Sequence, residues 1–332
     1  MKARRGKKGR DQKKKQEEEE KDDRIVLTKE MLGESLCEFS SLSDPRLLGY
    51  TTLNLSSKQL EHLNTNLHEH KTILQLNLSN NQLTDFAQVS ALHSLQKLDI
   101  SNNKIKHLNY LNDEETYQNL IHLDARNNKI PEFPALKCSK LTYLNLHGNM
   151  IQKYDKFEGH PNLSVLVCSL NKFKNLACFK EMPKLTQLYL QDNLIPNFNH
   201  YENLPALQCV NLRANRIEKF EEELPELPSI LKINLRENKV SNREELRKLF
   251  QFASLREINF IDTPLTGEEN KYLIHEILIM NTKLEKVNKV EVTETMLQES
   301  MHLAEFKWRK AEQIRIAKEK EEKAKQEQEE EA

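Results

Sequence analysis

One eleven-residue pattern recurs ten times through the middle of this chain, and it restricts the fold more than any other feature. It sets apolar residues at steps 1, 4, 6 and 11 and Asn at step 9. Leu95, Leu98, Ile100, Asn103 and Ile105 form one copy; Leu185, Leu188, Leu190, Asn193 and Ile195 form another. The Asn falls at Asn81, Asn103, Asn128, Asn149, Asn171, Asn193, Asn215 and Asn238, at intervals of 21 to 25 residues, while Lys58 and Thr263 hold that step in the two flanking copies. A unit this short cannot bury its own apolar face. Copies must stack, each covering the next, which makes a solenoid.

Period and pattern together define a leucine-rich-repeat array of the α/β class: a right-handed superhelix with a concave parallel sheet. Steps 3 to 5 form a short strand. By the period-two rule, steps 4 and 6 face the core and steps 3 and 5 face the concave side. The Asn at step 9 carries two donors and an acceptor, enough to satisfy backbone groups in the turn after each strand and to repeat as a ladder. The return segments carry further apolar residues, such as Phe86, Val89 and Leu92, or Phe198 and Tyr201.

The expected organisation is a disordered charged tail (1–23), an N-terminal cap (24–49), the repeats (50–266), a C-terminal cap (267–290) and a charged helix or tail (291–332). An exposed repeat end is an apolar edge and needs covering. Thr28 as N-cap with Met31, Leu32, Leu36 and Phe39 as the apolar stripe predicts a helix over 28–39 for that purpose. At the other end, Tyr272, Leu273, Ile277 and Leu278 predict an amphipathic helix, and Leu284 and Val287 echo one last strand. Glu244 to Phe252 reads as a helical segment before the final full repeat.

Charge makes up 30% of the residues, yet the formal net charge is −1. The charges are blocked: residues 2–15 are mostly Lys and Arg, 17–23 mostly Glu and Asp, and the final stretch mixes Glu, Lys and Gln. Such blocks stay solvated. No apolar segment follows the basic run, so no secretory leader is expected, and no run is long enough to span a bilayer. Cys37, Cys138, Cys168, Cys178 and Cys209 are scattered, odd in number and without a CxxC pair, which favours a reducing cytosolic compartment.

No phosphate-binding Gly loop, nucleophile elbow or HExxH zinc motif occurs, so neither catalysis nor a cofactor is expected. His62, His68 and His70 read as loop histidines and not as metal ligands. The informative chemistry lies on the concave steps. Most are polar, but the centre is not: Tyr143, Val165, Val167, Tyr189 and Cys209 fall on neighbouring strands, with Leu170 at their edge. Apolar residues gathered on an exposed floor suggest a docking site for protein, and Tyr is a favoured anchor. Arg126, Arg213 and Arg236, two steps further on, would flank it with positive charge. The alternatives are that the valines tolerate solvent or that the chain's own tail covers them. A second candidate contact is the stripe of Leu297, Met301, Ala304, Trp308 and Ala311, about two heptads long; it either packs back on the cap or meets a neighbouring subunit.

Three stretches resemble the leucine-rich-repeat radial spoke protein of motile cilia: LTKEMLGESLCEF (Leu27 to Phe39), the run from LTYLNLHGNMI to LPALQCVNLRANRI (Leu141 to Ile217), and the ending SLREINFIDTPLT with EENKYLIHEILIMNTKLEKVNK before a Glu/Lys-rich helix. The N-terminus departs from that family in beginning strongly basic, and Thr263-Pro264 and Val287-Asn288 stand where similar caps have Asn-Pro and Leu-Asp. The resemblance implies a structural subunit that binds other radial spoke or axonemal proteins, located in the axoneme of the cilium. Neither a small-molecule substrate nor a membrane nor nucleic acid is then an expected partner. A regulatory adaptor of a serine/threonine phosphatase, whose 22-residue repeats are similar, is the other reading; it calls for an acidic and aromatic concave face, and acidic residues are few here.

Overall fold

The computed structural model describes residues 25–41, 48–63, 65–113, 115–267 and 272–330. The expected tail at 1–23 lies outside them. Thirteen strands follow one another in chain order across a single sheet. They are β1 (Leu36–Ser41), β2 (Leu48–Asn54), β3 (Gln75–Asn77), β4 (Lys97–Asp99), β5 (His122–Asp124), β6 (Tyr143–Asn145), β7 (Val165–Val167), β8 (Gln187–Tyr189), β9 (Cys209–Asn211), β10 (Lys232–Asn234), β11 (Glu257–Asn259), β12 (Lys286–Val287) and β13 (Val290–Glu291). Strands β2 to β12 are parallel and in register, so that Leu76, Leu98, Leu123, Leu144, Leu166 and Leu188 form one continuous row. Only β1 and β13, at the ends, run antiparallel to their neighbours.

The apolar steps are buried as the pattern requires; Leu95, Leu98, Ile100 and Ile105 expose at most 1% of their surface. Phe86, Phe133, Phe173, Phe179 and Phe198 fill the space behind them, packing ring against ring, as in Phe133 with Phe157 at 4.3 Å. The step-9 Asn residues close the turns. Asn149 Nδ2 donates to the carbonyls of Ala125, Leu146 and His147, and its Oδ1 accepts from the Ile130 amide one repeat back. Asn81, Asn103, Asn128, Asn171, Asn193, Asn215 and Asn238 are likewise buried, and each accepts the amide of step 11 in the preceding repeat.

The N-terminal cap differs from expectation. Its helix, α1 (Lys29–Glu34), is N-capped by Thr28 as predicted but ends before Ser35. Leu36 to Ser41 then pairs antiparallel with β2. The first strand of a stack has a free edge of unsatisfied amides and carbonyls. Pairing with them outweighs extending the helix by one turn. Phe39, placed on the core side by the helical reading, instead lies in solvent against Tyr50, ring centroids 5.3 Å apart.

At the C-terminal end, α2 (Arg243–Lys248) and α3 (Leu273–Met280) cover the last repeats, and α4 (Glu294–Glu330) packs its first turns on α3. Tyr272 is exposed, while Leu273, Ile277 and Leu278 are buried. Glu276 on α3 receives hydrogen bonds from Arg243 of α2 and Lys307 of α4, tying the three helices together. Burial alone would raise the pKa of this carboxyl; those bonds outweigh it and hold the group below the usual carboxylate range.

Candidate functional site

Steps 3 and 5 of β5 to β9 make the concave floor. Tyr143 lies beside Val165 and Val167 beside Tyr189 in the strand register, with Val165 and Val167 on the same face of one strand. All four are half-buried, as is Cys209. Cys209 aligns with Gln187, not with Tyr189, so it borders the apolar group and does not join its centre. One residue was missed in the sequence. His122 stacks flat on Tyr143, centroids 4.1 Å apart and planes within 2°, and widens the floor by one repeat. Their register pairing on adjacent strands was the available signal.

The apolar group and the rings beside it carry no charge near neutral pH; the carboxylate on the floor is Asp124, at step 5 of β5. Burial lowers the pKa of His122, keeping the imidazole neutral, and raises those of the Tyr143 and Tyr189 phenols and the Cys209 thiol. The expectation of flanking positive charge fails. Arg213 makes a two-pronged bond to Glu237, Arg236 pairs with Glu237 and Asp262, and Arg126 lies 3.7 Å from Asp124. Each guanidinium meets a carboxylate of its own or the next repeat, so the rim is a chain of compensated pairs.

The local rule that the floor breaks is more telling than its apolarity. In eight repeats step 5 is Asn or Asp, and its Oδ1 accepts the amide of step 7: Asn54 from Ser56, Asn77 from Ser79, Asp99 from Ser101, Asp124 from Arg126, Asn145 from His147, Asn211 from Arg213, Asn234 from Arg236 and Asn259 from Ile261. This is an Asx turn, which the fold uses to leave each strand. Only Val167 and Tyr189 lack the oxygen.

Step 8 is less strict. Every repeat holds it in the left-handed region, which Asn, Asp and Gly tolerate best, yet Ser57, Leu170, Ala214 and Glu237 also occupy it, and Leu170 is the large apolar one. Asn80, Asn102 and Asn127 sit there and link side chain to side chain. Gly148 ends that ladder with φ +64°, where an added Cβ would lie 2.3 Å from Asn127 Oδ1. The next residue in the row is Leu170, at φ 54° and 52% exposed. A bulky apolar residue in a strained conformation, facing water, contributes nothing to folding that Asn would not.

The C-terminal stripe is divided. Leu297 packs against the core, whereas Met301 and Trp308 are 56% and 68% exposed. Helix α4 is rotated so that Ser300 meets His275 and Lys307 meets Glu276, which turns Met301 and Trp308 outward. Among the described residues, no group of three His, Cys, Asp or Glu side chains converges as a metal site, and no helix is long and apolar enough to cross a membrane.

No protein-family model matches the chain. Over 167 residues it is 32% identical to Tsukushi of Gallus gallus, a match spanning 48% of this chain and 45% of that protein. Among solved structures it is similar to TLR13 in the TLR13–ssRNA13 complex, with TM-score 0.58 and 18% identity over 75% of this chain and 39% of that one. It is also similar to the functional domain of InlJ from Listeria monocytogenes, with TM-score 0.47 and 18% identity over 75% and 56% of the two chains. Stacked register, buried Asn ladder and the likeness to the TLR13 structure agree on the class: the chain is a leucine-rich-repeat solenoid.

Proposed function

We propose that this solenoid is a non-catalytic scaffold that docks another protein on its concave floor. The observation that carries this reading is the coincidence of Val167, Leu170 and Tyr189. Val167 and Tyr189, paired on adjacent strands, are the two breaks in the Asx row, and Leu170, in the turn that follows Val167, adds an exposed apolar side chain in the left-handed region at their edge. Departures from a repeat's own local rules collect where function outweighs stability. The neutral aromatic wall of His122 and Tyr143 fits an apolar anchor and not a charged ligand.

The finer reading is a radial spoke subunit of the ciliary axoneme, supporting motility by holding other spoke or axonemal proteins. It is supported by the three stretches that resemble that family, one of which, Leu141 to Ile217, contains Tyr143, Val165, Val167, Leu170 and Tyr189. Two experiments test the proposal. A tagged chain in a ciliated cell should stay with the axoneme after detergent extraction; recovery in a soluble phosphatase complex would contradict it. Val167→Lys and Tyr189→Ala should each reduce recovery of the axonemal partner at least tenfold while the thermal midpoint does not fall. Undiminished recovery would exclude the floor as the contact.

A further inference from the structure

Positive charge is concentrated on one lateral edge of the solenoid. That edge is made by steps 10 to 13, where the chain leaves the strand turns for the convex side. Step 10 forms a stacked row there, because its amide donates to the step-11 carbonyl of the preceding repeat: Lys104 to Leu83, Lys129 to Ile105, Met150 to Ile130 and Lys172 to Ile151. From the third repeat to the sixth, steps 10, 12 and 13 hold Lys104, Lys106, Lys129, Lys153, Lys172 and Lys174, all exposed, against one carboxylate, Glu132. Glu132 is already paired with Lys156, at 3.2 Å. Among the described residues, none of the six lysines has a carboxylate within ion-pair distance, and Lys104 bonds to the neutral Gln82. The opposite edge, just before the strands, carries Lys140 and Lys184, each bonded to an Asn of the preceding repeat.

The chain enters the fold on this same edge. Val26 pairs in parallel with His62, the Glu61 amide donates to the Ile25 carbonyl at 2.9 Å, and the Leu27 amide donates to the His62 carbonyl. Glu61 and His62 are steps 12 and 13 of the first repeat, so Ile25 and Val26 stand where a preceding repeat would have those steps. The acidic run Glu17–Asp23, with four Glu, two Asp and one Lys, ends two residues before Ile25. Stacked repeats lie about 4.8 Å apart, which puts Lys104, Lys129 and Lys172 about 14, about 19 and about 29 Å along the edge from Ile25. An extended chain covers about 3.3 Å per residue, so Glu20 reaches about 17 Å and Glu17 about 26 Å. We infer that this edge is a binding surface for an acidic peptide segment, and that its occupant is Glu17–Asp23 of the same chain, laid along Lys104, Lys129 and Lys172. Span and sign both match; the basic run at 2–15 carries the sign of the edge itself and does not fit. Exposed ion pairs are individually weak and screened by salt, but the covalent tether supplies the effective concentration that lets several act together. An acidic surface on another protein competes for the same lysines and releases the segment. None of these residues belongs to the concave floor, so the inference is independent of the docking reading.

Carbodiimide, which joins a carboxylate to an amine in direct contact, tests this on the full chain. Peptide mapping of a mixture of isotopically light and heavy chains separates links within a chain from links between chains. Glu17 to Glu20 should join Lys104, Lys129 and Lys172 within one chain at low salt, with the yield falling about tenfold at high salt. Absence of these links, their equal spread to Lys140 and Lys184 on the opposite edge, or their occurrence mainly between chains would overturn the assignment. A second measurement is the fluorescence anisotropy of a labelled peptide with the sequence of residues 16–24. A chain carrying E17Q, E18Q, E19Q and E20Q should bind it about tenfold more tightly than the parent chain, because its own segment no longer competes. Adding K104Q, K129Q and K172Q to that chain should abolish the gain. Equal binding by the parent and four-Gln chains, or binding by neither, would show that the edge is not occupied by this segment.

Discussion

Two rows run along the repeats, one of Asn at step 9 and one of Asn or Asp at step 5, and they have different fates. The step-9 row is unbroken from Asn81 to Asn238; the step-5 Asx row is broken at Val167 and Tyr189. Both rows satisfy backbone amides. The difference is depth. A step-9 side chain is buried and makes four bonds across two repeats, as Asn149 does, so its loss strands several groups where water cannot reach. A step-5 side chain lies on the concave side, half-buried or exposed in every repeat but those of Asp124 and Asn145, and makes one such bond. Its loss is tolerable, and the position becomes free for another use. Where a repeat protein can vary is thus set by how many groups each position satisfies and how far they lie from solvent.

The comparison yields graded expectations. Asn149→Ala should destabilise by about 1–3 kcal/mol, the cost of unpaired buried polar groups, read as a lower denaturation midpoint; a negligible change would remove the distinction between the rows. Leu170→Asn should stabilise by about 1 kcal/mol, by relieving the left-handed strain that L residues other than Asn and Asp carry. Val167→Asn should stabilise by roughly 0.5–1.5 kcal/mol, the worth of one recovered hydrogen bond.

Acid provides a further contrast between the buried and the concave groups. His160 is 2% exposed, donates from Nε2 to the Cys138 carbonyl and accepts the Asn162 amide at Nδ1. Burial lowers its pKa, so the unfolded chain takes up the proton first. Stability should be fully present above about pH 6.5, the ordinary His value, and decline as pH falls below it toward the folded pKa. His160→Gln should flatten that decline more than His122→Gln, whose ring is only half-buried. The smallest expected effect is spectroscopic. Trp308, the chain's only Trp, should emit as a solvated indole in the isolated chain; a buried-type spectrum would show that the stripe on α4 is covered.

The Asn ladder and the inward steps were legible in the sequence because the repeat states them ten times over. The concave placement of Tyr143, Val165, Val167 and Tyr189 followed from strand alternation alone. The broken Asx row was equally visible, as eight Asn or Asp residues interrupted by Val and Tyr, but its meaning depends on the turn geometry that makes step 5 accept from step 7. The neutralised rim was harder to foresee. Arg213 and Glu237 are one repeat apart, and their pairing is set by how step 7 of one turn lies over step 8 of the next. The β1 hairpin was illegible for a related reason: Leu36 to Ser41 has spacing compatible with a helix, and only the free edge of β2 decides otherwise. The orientation of α4 depends on contacts with α3, so the heptad spacing of Met301 and Trp308 could not say which way they face.

The most direct measurement is the thermal midpoint of a chain carrying Val167→Asn, Leu170→Asn and Tyr189→Asn together. If these three residues serve a partner at the expense of the fold, restoring the repeat's own residues should raise the midpoint, by roughly 2–4 °C per kcal/mol recovered. An unchanged or lower midpoint would mean that valine, leucine and tyrosine already suit the solenoid there. The floor would then hold no stability sacrificed for a partner.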